Sequence, residues 1–427
     1  METLNDKEQT WAEGRSWRGA VLAVVGLAWL AGLGFDWMLR FTWYGWQQRL
    51  IFRPSAVRTL NQSSDRYVTN EVPGIRGGDL TRLVGIRSFN ARFEQDHPGG
   101  PQTCDGAGFR NLPAPPDLAH PVVVVGDSFM AAGDPMTNMF AVQLAERSVL
   151  PVYNRAMVGV GPFLSVERFV DSDRFQHRRP KILVWGFVER SVIQHGFSSL
   201  LYQLDIRDKG LKPAENYILS ATTTRVVWQA LLPGNLKTAL PDTSALAQLS
   251  QRAWNRIRYA LFGKIMPEVF AAAGDVAGKP ILFYRPALDL SLGDPFERDP
   301  DQIMEGIRYT SDFMARRGIR LVILMIPDKE TTYRERIPPA ELGGRELPPS
   351  CLLEIERRLR AENIPVVNLV EPFRERAARG ELLYWPDDTH WNSAGIRIAA
   401  ELVWRELQSL PETQALLKHE PPSDPLQ

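Results

Sequence analysis

The sequence predicts an α/β fold of three layers, a mostly parallel sheet with helices on both faces, behind an N-terminal transmembrane helix. Three observations predict it. The chain opens with an uncharged apolar run; strand-length apolar runs alternate with helix-length segments from residue 121; and the last of those segments carries an apolar stripe at three-four spacing.

The uncharged run extends from Gly19 to Phe35, and a helix of that length spans ~26 Å, close to the thickness of a bilayer core. Trp17 and Arg18 precede it, and Trp37, Phe41, Trp43, Tyr44 and Trp46 follow. Such rings favour the headgroup region, where an amphipathic side chain meets both phases. A cleaved signal would need a small-x-small site ahead of a polar start, and none is visible. Lys7, Arg15 and Arg18 before the span balance Arg40, Arg49 and Arg53 after it. Orientation therefore rests on there being no second apolar run of that kind, which makes residues 1–36 a short cytoplasmic stub with its anchor. Residues 37–120 read as a juxtamembrane collar and an irregular lead-in, rich in Gly, Pro, Asn and Asp from about residue 56.

The main domain is expected over 121–410. Val122 to Val125 is a wholly apolar run ending in Gly126, as in a strand buried on both faces. A helix near Phe140 to Arg147 and strands at Pro151 to Tyr153 and Ile182 to Trp185 follow. Residues from about 196 to 280 break the rhythm as a helical insertion, including Leu246 to Phe262, with the character of a lid. Alternation resumes with a strand near Ile281 to Tyr284, a helix over Asp301 to Arg317 and a strand at Arg320 to Ile326. A helix near Leu352 to Glu362 and a strand at Ile364 to Leu369 come next. In the final helix Ile396, Ala399, Ala400, Val403, Trp404 and Leu407 form one stripe, with Asn392 or Ser393 as its cap. Residues 411–427 are Pro-rich and expected to be disordered.

Fifty basic and fifty acidic side chains cancel, so nothing global argues for a nucleic-acid partner. Two cysteines, Cys104 and Cys351, leave a disulfide open. No clustered His/Cys spacing suggests a metal, and no cofactor is expected.

The chemistry lies in two short motifs. Gly126-Asp127-Ser128-Phe129 follows the apolar strand directly, placing Ser128 where open α/β sheets hold ligands, with its N–H available to an oxyanion. Near the C-terminus comes Trp385-Pro386-Asp387-Asp388-Thr389-His390-Trp391-Asn392. A carboxylate two or three residues before a histidine can bond its ring, fix the tautomer and stabilise the imidazolium. His97, His120, His177, His195 and His419 lack that arrangement and read as solvated surface histidines.

These two motifs resemble the SGNH/GDSL hydrolase superfamily. Asp388-Thr389-His390-Trp391 is similar to the signature of its alginate O-acetyltransferase branch, as is Ile326 to Tyr333 after its strand. The match covers about residues 105 to 408 and is poor in the insertion. It implies an SGNH-type (flavodoxin-like) sheet, Ser128 as nucleophile, His390 as general base and Asp388 as orienting acid. The wider superfamily's spacing would select Asp387 instead. Asn154 to Gly161 aligns with the second conserved block, making Asn154 and the Gly159 N–H candidate oxyanion groups. Lys329 and Tyr333 in the Ile326 to Tyr333 stretch become substrate-binding candidates. Gly186-Phe187-Val188-Glu189-Arg190 departs from the superfamily pattern, because Val188 replaces the asparagine donor. One such loss can cost ~10²–10³ in rate. Glu189 and Arg190 are expected to shape the site instead, or to form a buried ion pair.

What the resemblance implies is acetyl transfer to a polysaccharide acceptor, from a multispanning membrane acyltransferase as donor. The chain would sit in the inner (cytoplasmic) membrane with its catalytic domain in the periplasm. A carbohydrate O-acetyl esterase uses the same triad with water as acceptor, and a non-catalytic polysaccharide-binding or assembly subunit is the third reading.

Overall fold

The computed structural model describes residues 68–194, 245–293 and 300–419, with gaps at 73, 106–108, 116–117, 134 and 158–160, and parts of 21–38 and 204–210. Two compact units are present, residues 1–52 with 216–264 and residues 53–215 with 265–427.

The larger unit begins with β1 (Val68–Val72), paired antiparallel with β2 (Gly100–Cys104). Between them lie helix α1 (Asp79–Val84) and a two-residue ribbon of Ile75–Arg76 on Asp96–His97. The lead-in expected to be irregular is therefore ordered from residue 68. Its elements are too short to carry a periodic signal, and they gain order from long-range hydrogen bonds to residues 387–389.

Next come β3 (Val122–Gly126), α2 (Ser128–Ala131), α3 (Phe140–Ser148), β4 (Val152–Asn154), α4 (Gly161–Val170) and β5 (Ile182–Val188). After them come β6 (Val269–Ala271), β7 (Leu282–Tyr284), α5 (Pro300–Ala315), β8 (Arg320–Ile326) and α6 (Lys329–Thr332). Helix α7 (Cys351–Ala361), β9 (Val366–Asn368), α8 (Ser393–Gln408) and α9 (Pro411–His419) complete it.

Five strands form one parallel sheet in the order β9-β8-β5-β3-β4. Counted along the chain this is 2-1-3-4-5, the flavodoxin-like order, whose ligands bind where the strand order reverses, at the carboxyl end of its first strand. Val122 and Val124 face α3 and α8 through Phe140, Leu144, Ile396, Ala399 and Val403. Val123 and Val125 face the opposite layer, with Phe163, Val166, Ile307, Leu352 and Ile355. The wholly apolar strands are thus covered on both sides, as their composition requires.

Two expectations need correction. The strand at Leu282–Tyr284 stands outside the parallel sheet and pairs antiparallel with β6. Only three residues long, it is stopped by the helix that begins at Arg285 with a proline in its first turn. The tail expected to be disordered starts as helix α9, with Pro411 at its first position, Thr413 buried and Leu416 packed against the core.

In the smaller unit, the described residues between 21 and 35 are helical and expose Val24, Val25, Leu27, Trp29 and Leu30. Among the described residues no helix is long and apolar enough to cross a membrane. The other described element there is the helix Ala245–Phe262, from the expected insertion.

Candidate active site

Strand β3 ends on Gly126 beside its register partner Gly186 on β5. A Cβ at Gly126 would lie 2.3 Å from the Gly186 carbonyl oxygen, and one at Gly186 would strike the Met130 side chain. Two glycines thus let the chain turn sharply and seat α2 on the sheet end. Asp127 locks the turn: one carboxylate oxygen accepts from the Phe129 N–H at 2.9 Å, the other from the Val188 N–H and the Ser191 hydroxyl, both at 3.3 Å. Ser128 is left as the first residue of α2, where a helical N–H has no partner in its own ladder.

The second motif is a tight loop closed by a bridge between Tyr384 and Trp391. The Trp391 indole N–H donates to the Phe129 carbonyl at 3.0 Å and ties this loop to α2. His390 Nε2 then lies 2.8 Å from Ser128 Oγ, and His390 Nδ1 lies 2.7 Å from Asp388 Oδ1. The Asp388 oxygen also accepts the His390 backbone N–H at 2.9 Å, so the pair is rigid within one loop. Burial alone would raise the Asp388 carboxyl, but the His390 charge and hydrogen bonds outweigh it and hold the carboxyl far below the usual range. Burial opposes the imidazolium of His390, yet the Asp388 charge and hydrogen bond, with help from Asp79, raise it above its ordinary value.

Asp387 faces the other way. Its Oδ2 accepts the Gly78 N–H at 2.8 Å and the Gln95 N–H at 3.0 Å, and its Oδ1 lies 3.1 Å from His97 Nε2. Of the two candidate acids, Asp388 alone bonds the His390 ring. His97, read from sequence as solvated, is buried and packs against Trp385 with ring centroids 4.6 Å apart.

The remaining candidates act at one remove from Ser128. Lys329 is buried, and its ammonium donates to the backbone carbonyls of Trp385, Pro386 and Asp388 at 2.7, 3.0 and 3.1 Å, stapling the loop from below. Burial brings it down to about 8, against the raising effect of Glu330, Asp387 and Asp388. The Tyr333 hydroxyl accepts from the Leu383 N–H at 2.7 Å and donates to the Glu381 carbonyl at 3.1 Å, bracing the segment that enters the loop. Arg190 pairs with Asp328 and lies 5.1 Å over the Phe129 ring, which packs 4.7 Å from the His390 ring. Glu189 is buried against the Asp328 N–H and Ser350, and burial with the Asp328 charge pushes it up to about 7. The Asn154 side chain donates to the Arg110 carbonyl at 3.0 Å and accepts from the Ala156 N–H at 3.0 Å, so both ends are engaged in holding loops together. Gly159 lies outside the described residues.

Sequence reasoning missed Asp79. It opens α1, and its carboxylate accepts from the Thr389 N–H at 2.7 Å and from the Thr389 hydroxyl. Its own N–H donates to Asp388 Oδ2 at 2.9 Å, and its Oδ2 stands 3.7 Å from His390 Nδ1. Burial, then the Asp388 charge, push its carboxyl up to about 6. Gly78 makes this approach possible, because a Cβ there would lie 2.5 Å from both the Asp387 carbonyl oxygen and Asp388 Cβ. The sequence offered only the glycine-rich Arg76-Gly77-Gly78-Asp79 as a signal.

Ser128, Asp388 and His390 line a cavity of about 200 Å³, with His97, Arg110, Trp385 and Trp391 in its wall. That is below the ~300 Å³ of sites for drug-sized ligands and suits a short acyl group. Asp79, Asp388 and His390 bring ligand-type atoms within 4.8 Å of one another. A cation there would draw the Asp388 carboxylate and His390 Nδ1 away from each other, so the group is better used as a hydrogen-bond relay.

A family model described as SGNH hydrolase-like domain, acetyltransferase AlgX, matches residues 55–189 and 282–422. The chain is 25% identical over 197 residues to a protein of Pseudomonas syringae pv. tomato named Probable alginate O-acetylase AlgJ, covering 45% of this chain and 46% of that one. It is 37% identical over 111 residues to the Pseudomonas putida protein of the same name, covering 25% and 28%. It is also 29% identical over 114 residues to the alginate biosynthesis protein AlgX of Pseudomonas aeruginosa, covering 26% and 24%. The matched stretches thus span less than half the length of these relatives. The solved O-acetyltransferase domain of Pseudomonas putida AlgJ aligns at 27% identity over 31% of this chain and 43% of its own, with a TM-score of 0.19.

Proposed function

Because this chain belongs to the family of SGNH hydrolase-like domains of the acetyltransferase AlgX type, we propose that it transfers acetyl groups to hydroxyls of an extracytoplasmic polysaccharide through an acetyl-serine intermediate. The observation that carries the reading is the unbroken relay from Ser128 Oγ through the His390 ring to Asp388, with steps of 2.8 and 2.7 Å.

His390 Nε2 takes the Ser128 proton as Oγ attacks the acetyl carbonyl of the donor. The bond to the donor's leaving group breaks, and that group departs with the proton from His390. A polysaccharide hydroxyl then gives its proton to His390 and attacks the acetyl-serine, and Ser128 is released reprotonated. The oxyanion in both halves is held by the Ser128 N–H, with the Gly159 N–H as the second donor that the family resemblance implies. Asp388 stabilises the imidazolium and holds the tautomer that points Nε2 at Ser128. Lys329, Tyr333, Arg190 and Glu189 serve as the scaffold of the loop rather than as substrate contacts.

The same proposal places the chain in the inner membrane, with the segment at 19–35 as a single-pass anchor and the catalytic unit in the periplasm. The exposed apolar side chains of the described helical residues there support that reading. Tethering raises the effective concentration of a membrane-borne donor such as a multispanning acyltransferase.

A serine-directed fluorophosphonate should label the native chain and leave Ser128→Ala unlabelled. Purified protein given an activated acetyl ester should acetylate an oligosaccharide acceptor in preference to releasing acetate. Release of acetate alone, whatever acceptor is supplied, would make it an esterase. Unchanged polymer acetylation in cells carrying Ser128→Ala, His390→Ala and Asp388→Ala together would remove the triad from the function.

A further inference from the structure

The helix Ala245–Phe262 is built the wrong way round for a helix that serves a protein core. Its side chains Trp254, Ile257, Leu261 and Phe262 are 58, 49, 68 and 65% exposed, while Asn255 is buried at 7%. Ala253 and Ala260 are exposed as well, and Tyr259 is half-buried on the Asn255 side. At the helical period, Ala253, Trp254, Ile257, Ala260 and Leu261 share one face, and Asn255 and Tyr259 share the opposite one. A contiguous apolar face turned outward marks a binding surface rather than a packing surface.

Its charge identifies the occupant. From residue 245 to 264 the chain carries Arg252, Arg256, Arg258 and Lys264 and no Asp or Glu. Arg256 and Arg258 project ~100° to either side of the apolar face, where their stems can lie along hydrocarbon while the guanidinium groups reach phosphate. The three arginines bar the helix from crossing a bilayer, and the outward apolar face with basic flanks is the pattern of a helix lying in the headgroup plane. The same compact unit contains the uncharged segment at 19–35, whose described residues also expose apolar side chains.

We infer that Ala245–Phe262 is an interfacial helix that docks on an anionic phospholipid surface through Trp254, Ile257 and Leu261, with Arg256 and Arg258 on the headgroups. The inference is independent of the chemistry at Ser128. It gives the segment between β5 and β6 a role at the membrane in place of the lid that its position in the sequence suggested.

The test uses the full chain reconstituted into vesicles of phosphatidylcholine with phosphatidylglycerol, both carrying a clickable tag. A photoreactive benzoylphenylalanine replaces Leu261, Tyr259 or, in the catalytic unit, the exposed Lys418. Position 261 should form lipid adducts roughly tenfold or more above positions 259 and 418. Adduct yield should fall when phosphatidylglycerol is omitted, and should fall in the mixed vesicles with Arg256→Gln and Arg258→Gln. Protein adducts at 261, from a second copy or another chain, would overturn the assignment. So would lipid adducts no more frequent there than at 418, or a yield indifferent to phosphatidylglycerol and to both arginines. Activity on a soluble acetyl ester, read in parallel, should not change with either arginine substitution.

Discussion

Replacing Asp79 by asparagine tests whether the second carboxylate beside His390 helps the relay. Asp79 Oδ2 lies 3.7 Å from His390 Nδ1. At that distance two unit charges attract by about 1 kcal/mol in water and about 4.5 kcal/mol at an effective dielectric of 20. The Asp79 carboxyl is pushed up to about 6 by burial and then by the Asp388 charge, so it is mostly ionised at neutral pH. Asp79→Asn keeps an acceptor for the Thr389 N–H, removes the charge, and sets an amide donor against the Thr389 hydroxyl, which can turn to accept from it. The imidazolium formed as Ser128 loses its proton is then less stable, and kcat/KM should fall roughly 10–100-fold. Asp388→Asn also removes the bond that fixes the tautomer and should cost ~10⁴. The raised His390 draws first on Asp388 and then on Asp79 against its burial, so without Asp79 the acid limb of the pH–rate profile moves to lower pH. Stability moves the opposite way from activity. A carboxyl raised from 3.8 to about 6 in the fold contributes fully below 3.8, and that contribution is lost as pH rises through about 6, up to ~3 kcal/mol less what coupling to Asp388 shares out. Asp79→Asn should therefore melt higher than the native chain at neutral pH and alike near pH 3.8. The assays are hydrolysis of an activated acetyl ester across pH and thermal melts at the two pH values. A variant whose rate and profile overlay the native enzyme, or which melts lower at neutral pH, would refute the reasoning.

Other substitutions probe the scaffold of the same loop. Lys329→Met strips the donor from three buried loop carbonyls and should cost about 3 kcal/mol or more, read as a lower melting temperature with a matching fall in kcat. Gly78→Ala places a Cβ 2.5 Å from the Asp387 carbonyl oxygen and Asp388 Cβ, and should cost about 1–3 kcal/mol while lowering kcat more than it raises KM. Asp387→Asn leaves one acceptor where two backbone N–H groups now converge on Oδ2 with His97 on Oδ1, so it should destabilise by about 1–3 kcal/mol. Unlike Asp388→Asn, it should leave fluorophosphonate labelling of the folded protein at Ser128 near the native rate. Gly126→Ala should abolish folding or labelling, because its Cβ would lie 2.3 Å from the Gly186 carbonyl oxygen.

How legible each feature was in the sequence follows from the range of the interactions that make it. Strands β3, β5 and β8 are apolar on both faces, and composition alone reveals them. Helix α8 shows its buried stripe in its own residues, with Asn392 accepting the Ala394 and Gly395 N–H groups as the cap. Ser128 and His390 were legible because each sits in a short loop whose local residues position it. Asp79 was not, since its partners lie about 310 residues away and nothing around it repeats with a period. The choice between Asp387 and Asp388 was equally closed to sequence, because adjacent side chains in a tight turn point to opposite sides and only the folded loop decides which meets the ring. His97 looked like a surface histidine until its pairing with Ile75, and Trp385 and Asp387, enclosed it, and Lys329 looked like a substrate contact until three carbonyls turned toward it.

The two adjacent aspartates make the lead-in part of the candidate active site. Asp388 faces His390, and Asp387 faces Gly78, Gln95 and His97, so one peptide unit links the relay to a segment that precedes Ser128 in the chain. The link runs back as well: Asp79 holds Thr389, and its N–H fixes the second oxygen of Asp388. A carboxylate bonded on both oxygens has one orientation, and a histidine bonded to it has one tautomer. Lys329 and Trp391 hold the loop, and the His390 N–H holds one oxygen of Asp388, but the other oxygen of Asp388 and both oxygens of Asp387 find their partners in residues 77–97. Three of those partners are the backbone N–H groups of Gly78, Asp79 and Gln95, which substitution of side chains cannot easily erase.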